Sequence, residues 1–124
     1  MRMLIVDDSI MMCDRLRDYT EVIPEVEIVG VATNGIEALD MIKDKNPELI
    51  ILDIRMPGMS GISILEKLKE EGNNCKICIF TNYPYYQYKQ KCIKMGADYF
   101  FDKTKDFKEV INLVTELSLN KEFK

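Results

Sequence analysis

Histidine is absent from this chain, and only four cysteines occur in its 124 residues. Cys75 and Cys78 stand at a C-x-x-C spacing, but with no histidine and no second cysteine pair a zinc site lacks ligands. A redox pair of that spacing usually opens a helix. Here it lies in Cys75-Lys76-Ile77-Cys78-Ile79-Phe80, which reads as a strand, where side chains three apart point to opposite faces. Cys13, Cys75, Cys78 and Cys92 are therefore expected to be reduced structural thiols. No apolar run approaches the roughly 20 residues that span a bilayer. The start, Met1-Arg2-Met3, passes straight into Leu4-Ile5-Val6-Asp7-Asp8, too short for a signal peptide and without a small-residue cleavage site. A cytoplasmic protein with no membrane association is expected. Lysine and arginine form no cluster, and the net charge is −4, so direct nucleic-acid binding is not expected. Internal repeats, low-complexity tracts and linker-like stretches are also missing.

What is present is a globular composition, 47% hydrophobic and 31% charged, at a length suited to one domain over residues 1–124. Five short apolar segments alternate with amphipathic stretches, the pattern of a parallel sheet covered by helices on both faces. Strands are predicted at Met3 to Asp7, Glu27 to Ala32, Leu49 to Asp53, Lys76 to Phe80 and Asp98 to Phe101. Leu4-Ile5-Val6, Leu49-Ile50-Ile51-Leu52 and Ile77-Cys78-Ile79-Phe80 are continuous apolar runs, as strands buried on both faces should be. Ser9, Asn34 and Ser60 are suited to cap helices ending near Glu21, Lys45 and Gly72. Pro84 suits the first turn of a fourth helix and Gly96 its C-terminal cap. Asp106 and Glu109 make a capping box for a fifth, whose Phe107, Val110, Ile111, Val114 and Leu117 recur at helical spacing. The tail from Asn120 to Lys124 is expected to fray. The fold class that follows is α/β, a doubly wound five-stranded parallel sheet with five helices.

In such sheets ligands bind beyond the carboxyl ends of the strands. Reading those ends in turn gives Asp7 and Asp8 after the first strand, Asp53 at the third, Thr81 at the fourth and Lys103 past the fifth. Taken singly, each is an ordinary polar residue at a strand end, and acidic residues before a helix favour its dipole. Gathered on one edge, three carboxylates repel one another unless a cation offsets them. Hard oxygen ligands with room for waters and a phosphate suit Mg²⁺, with Mn²⁺ as the alternative.

Set in this order, Leu4-Ile5-Val6-Asp7-Asp8-Ser9, Asn34-Gly35-Ile36-Glu37-Ala38-Leu39, Leu52-Asp53-Ile54-Arg55-Met56-Pro57-Gly58-Met59-Ser60-Gly61, Thr81, and Gly96-Ala97-Asp98-Tyr99-Phe100-Phe101-Asp102-Lys103 resemble the receiver domain of two-component response regulators over essentially the whole chain. The resemblance implies a flavodoxin-like strand order 2-1-3-4-5, a fold of which the family is itself a standard example. It implies that Asp53 is the phosphoacceptor, taking a phosphoryl group from a sensor histidine kinase or phosphotransfer protein. Asp8 and Asp53 would bind Mg²⁺ directly, Asp7 through water, and the Arg55 backbone carbonyl would complete the protein ligands. Lys103 would pair with a phosphoryl oxygen, Thr81 would donate its hydroxyl to another, and Phe100 would be the aromatic that changes rotamer with Thr81. Such a protein is not an enzyme beyond catalysing its own phosphorylation and dephosphorylation.

Three features depart from the common pattern. Thr104 stands where many receivers have a proline after the lysine, and Asn82 follows Thr81 where a small residue is frequent. Arg55 and Tyr83, two beyond Asp53 and Thr81, flank the site and are expected to slow loss of the phosphoryl group. Tyr83-Pro84-Tyr85-Tyr86-Gln87-Tyr88 places four tyrosines at the start of the fourth helix. Two or so are expected to face the core. The remainder would make an exposed aromatic patch, and a downstream protein is expected to dock near Tyr85, Tyr86, Tyr88 and the fifth helix. A haloacid-dehalogenase-type hydrolase is set aside, because it needs a second aspartate where Arg55 stands. Two other readings are a receiver cut from a longer DNA-binding transcriptional regulator and a non-phosphorylated interaction module; the first turns on whether Lys124 ends the natural chain, making this a stand-alone receiver.

Overall fold

A computed structural model describes residues 1–120, so the fraying expected after Asn120 lies outside the described residues. The chain alternates strictly: β1 (Arg2–Val6), α1 (Ile10–Thr20), β2 (Glu27–Ala32), α2 (Gly35–Lys45), β3 (Leu49–Leu52), α3 (Gly61–Glu70), β4 (Lys76–Thr81), α4 (Tyr86–Lys94), β5 (Tyr99–Asp102) and α5 (Phe107–Leu119). All pairings are parallel, in the order β2-β1-β3-β4-β5. The three continuous apolar runs are the three central strands β1, β3 and β4, which have neighbours on both sides and helices on both faces.

Alternation along these strands divides the core in two. Leu4, Val6, Ile50, Leu52, Ile77 and Ile79 pack on one face with Ala38 and Ile42 of α2, Ile64, Leu65 and Leu68 of α3, and Cys92 of α4. Met3, Ile5, Leu49, Ile51, Cys78 and Phe80 pack on the other with Cys13 and Leu16 of α1 and Val110, Val114 and Leu117 of α5. Each such side chain, fully removed from water, contributes about 1.5–3 kcal/mol. Cys75 and Cys78 fall in opposite clusters, and all four cysteines are buried and free. The C-x-x-C spacing is thus a consequence of strand packing.

Ser9, Asn34 and Ser60 cap their helices as expected, accepting from the backbone N–H of Met12, Glu37 and Ser63. Two helices differ from the expectation, α4 in where it starts and α5 only in its capping bond. Pro84 lies outside α4, which begins at Tyr86 after an extended Tyr85 that makes no side-chain cap bond. The reason is a local turn: the Thr81 hydroxyl accepts the Tyr83 N–H at 3.0 Å, which commits residues 81–83 to their own bend before a helix can begin. The Asp106 capping box does not form, because the Asp106 carboxylate accepts the Asp102 N–H at 2.9 Å instead. No helix among the described residues is long and apolar enough to cross a membrane.

Candidate functional site at the carboxyl edge of the sheet

The parallel sheet carries three strand ends and their following loops to one place. Asp7 leaves β1 still in register, its N–H donating to Ala32 O at 3.0 Å, and Asp53 leaves β3 likewise, donating to Val6 O at 3.0 Å. Both carboxylates are then oriented from their own backbone side. Asp7 Oδ1 accepts the Ser9 N–H at 2.9 Å and Asp53 Oδ1 accepts the Ile54 N–H at 2.8 Å. Asp8 adjoins them at the surface, and one carboxylate oxygen from each of the three lies within 4.8 Å of the others.

Lys103 completes the cluster from β5. Its Nζ lies 2.6 Å from Asp7 Oδ2 and 3.0 Å from Asp53 Oδ2, and only 8% of the residue is exposed. Burial alone lowers a lysine pKa. Here the hydrogen bonds and charges of Asp7 and Asp53 outweigh it and hold Lys103 above its ordinary value, fully protonated. Asp7 is pushed upward, chiefly by burial, against the bonds it accepts from Lys103 and Ser9. One lysine against three carboxylates leaves the cluster short of positive charge. A hard divalent cation with oxygen ligands fits that deficit and that donor set.

Gly61, which follows the Ser60 cap, is what lets α3 approach. Its N–H donates to Ile54 O at 2.7 Å, and a Cβ there would overlap the Asp53 carbonyl oxygen and crowd the Ile54 Cα. The first turn of α3 therefore rests directly on the backbone of Asp53. Gly58 in the same loop has φ +81 with open space around it, so it serves the turn and nothing else.

Thr81 is buried at the end of β4, and Phe100, half-buried on β5, pairs in register with Ile79. Both stand where the sequence placed them. The Arg55 guanidinium lies over the Tyr83 ring at 4.1 Å and donates to Tyr88 Oη at 3.1 Å. Of the four tyrosines only Tyr88 packs against the core, partly, whereas two were expected to. Tyr83 is taken up by Arg55 instead, and Tyr85 and Tyr86 are 56% and 74% exposed. The bond between Lys103 and Thr104 is trans, since the described residues contain no cis peptide.

The response regulator receiver domain profile matches residues 3–115. The chain belongs to that family. Relatives include a protein-glutamate methylesterase/protein-glutamine glutaminase from Methanospirillum hungatei JF-1, 36% identical over 94% of this chain and 34% of its own. Another is the transcriptional regulatory protein DesR of Bacillus subtilis, 34% identical over 89% of this chain and 54% of its own. The chain spans about a third to a half of the length of these relatives. Among solved structures, a Francisella response regulator receiver domain superposes with a TM-score of 0.86 at 27% identity, covering 99% of this chain and 98% of that one. A chain of the CheX-CheY-BeF3-Mg+2 complex from Borrelia burgdorferi does so at 0.84 and 28%, covering 96% and 90%. The chain is thus a two-component signal-transduction receiver, and its β2-β1-β3-β4-β5 order is that of the family.

Proposed function

We propose that Asp53 accepts a phosphoryl group from a phosphohistidine donor, with Mg²⁺ held by Asp8 and Asp53, by Asp7 through water and by the Arg55 backbone carbonyl. The observation that carries this reading is the buried Lys103 bridging Asp7 and Asp53 beside an exposed Asp8, a cluster one positive charge cannot neutralise. A carboxylate oxygen of Asp53 attacks phosphorus, the N–P bond of the donor breaks, and the imidazole leaves with the electron pair. The bound cation supplies charge neutralisation on the transferred oxygens. Lys103, already within 3.0 Å of Asp53 Oδ2, pairs with a phosphoryl oxygen without leaving its place. Thr81 changes partner: its hydroxyl, which accepts from Tyr83 at 3.0 Å, turns to donate to a phosphoryl oxygen. Phe100 follows, altering the face formed by α4, β5 and α5.

The donor is a sensor histidine kinase or phosphotransfer protein, as the family implies. The exposed Tyr85 and Tyr86, together with Tyr88 and α5, form the docking surface for a downstream protein. The phosphoryl chemistry, rather than the methylesterase or transcriptional activity of the relatives, is what these residues support. Incubation with acetyl phosphate and Mg²⁺ tests it: intact mass is expected to rise by one phosphoryl group, and not at all in Asp53→Asn. No gain in the native chain, or an equal gain in the variant, contradicts the reading.

A further inference from the structure

Lys103 enters the site from the first position of a turn, just past the end of β5. β5 ends at Asp102, and the chain reverses through residues 103–105 before α5 begins at Phe107. The Lys103 Nζ is held by Asp7 and Asp53, and how its four methylenes reach them is set by where the turn places its Cα. On one side that Cα is secured by the sheet: the Lys103 N–H donates to Thr81 O at 2.9 Å, continuing the pairing of Thr81 with Asp102. On the other side everything converges on Asp102. Its Oδ1 accepts both the Thr104 N–H at 2.8 Å and the Thr104 hydroxyl at 2.7 Å. Its carbonyl accepts the Asp106 N–H at 2.8 Å and the Lys105 N–H at 3.3 Å, and its own N–H donates to Asp106 Oδ2 at 2.9 Å.

We infer that Asp102 is a positioning residue for the phosphoryl site, holding Lys103 against Asp53 through the turn it closes with Thr104 and Asp106. The inference rests on the proposed phosphoryl transfer. Asp102 touches neither Asp7 nor Asp53, and acts through the backbone on either side of Lys103. The same bonds explain why Asp106 is drawn away from capping α5: its carboxylate is spent on the Asp102 N–H, which secures the turn at a cost to the helix start. The two Thr104 bonds also hold the Asp102 carboxyl below the usual carboxylate range.

The test compares Asp102→Ala, Asp102→Asn and Thr104→Val with the native chain in four measurements. These are uptake from acetyl phosphate, affinity for beryllofluoride in the presence of Mg²⁺, affinity for Mg²⁺ alone, and Tm. A displaced Lys103 is expected to slow uptake about tenfold in Asp102→Ala and to weaken beryllofluoride binding by a similar factor. Mg²⁺ affinity, which depends on the carboxylates, stays within about twofold. Asp102→Asn, whose amide oxygen still accepts from Thr104, recovers most of the rate. Thr104→Val, which loses only the hydroxyl bond and leaves the fold least disturbed, falls between. Native-like uptake and beryllofluoride affinity in Asp102→Ala overturn the inference. So does Asp102→Asn as slow as alanine, or Mg²⁺ affinity falling in step with uptake, which marks a general loss of structure. A native chain that takes up no phosphoryl group overturns the proposed function as well, which separates the two failures.

Discussion

At the scale of single residues, the site depends on what is small as much as on what is charged. Asp7, Asp53, Thr81 and Lys103 were legible because each ends a strand, and a parallel sheet brings such ends together. Gly61 was not, since Pro-Gly-x-x-Gly reads as turn chemistry, and no sequence pattern says that a backbone carbonyl lies against one of its glycines. That contact makes a prediction. Gly61→Ala sets a methyl group against the Asp53 carbonyl oxygen and is expected to cost about 2 kcal/mol or more, as overpacking does, and to slow phosphoryl uptake. Gly58→Ala meets only the left-handed backbone penalty of about 1 kcal/mol, in open space, and leaves uptake near native. Urea melts and uptake rates of the two variants check this; equal effects on uptake would show that the α3 contact does not bear on Asp53.

Among the elements, the alternation of apolar and amphipathic segments was enough to place all ten, with strand ends shifted by a residue at β1, β3, β4 and β5. What the sequence misjudged were the start of α4 and the cap bond of α5. Before each helix, a polar side chain is bonded into the preceding turn: Thr81 accepts from Tyr83, and Asp106 from Asp102. Bonding of that kind is decided by geometry that spacing does not encode. The same limit applies to Arg55, whose reach to Tyr88 crosses from the β3–α3 loop to α4, a helix with only Cys92 buried and no side-chain cap. The bridge over Tyr83 bears on water access to an acyl phosphate on Asp53. Arg55→Ala is expected to speed its decay several-fold, on the order of 1 kcal/mol in barrier, with Tyr88→Phe giving a smaller change in the same direction and adding little in the double variant. Decay of the phosphorylated protein followed by mass checks it. A half-life of seconds in the native chain, unaltered by either substitution, would refute shielding.

For the molecule as a whole, the two-faced core fixes the state of the thiols. Burial pushes Cys13 and Cys75 up from an ordinary 9.0 to about 11, and it raises Cys78 and Cys92 in the same direction. A group whose folded pKa is raised contributes stability that is complete below the unfolded value and is lost as pH climbs through the folded one. The fold is therefore expected to weaken between about pH 9 and 11, where unfolded thiols ionise and buried ones do not. At neutral pH all four should resist a thiol-specific reagent until denaturant is added. Rapid labelling of the native protein would show a core looser than the one described. Asp53 stands at the sheet edge as the proposed phosphoacceptor, and chemical trapping reads out directly which carboxylate is modified. After incubation with acetyl phosphate and Mg²⁺, borohydride reduces an aspartyl phosphate to homoserine, and peptide mass spectrometry locates it. Homoserine is expected at position 53 alone; homoserine at another aspartate, or at none, would rule out Asp53 as the phosphoacceptor.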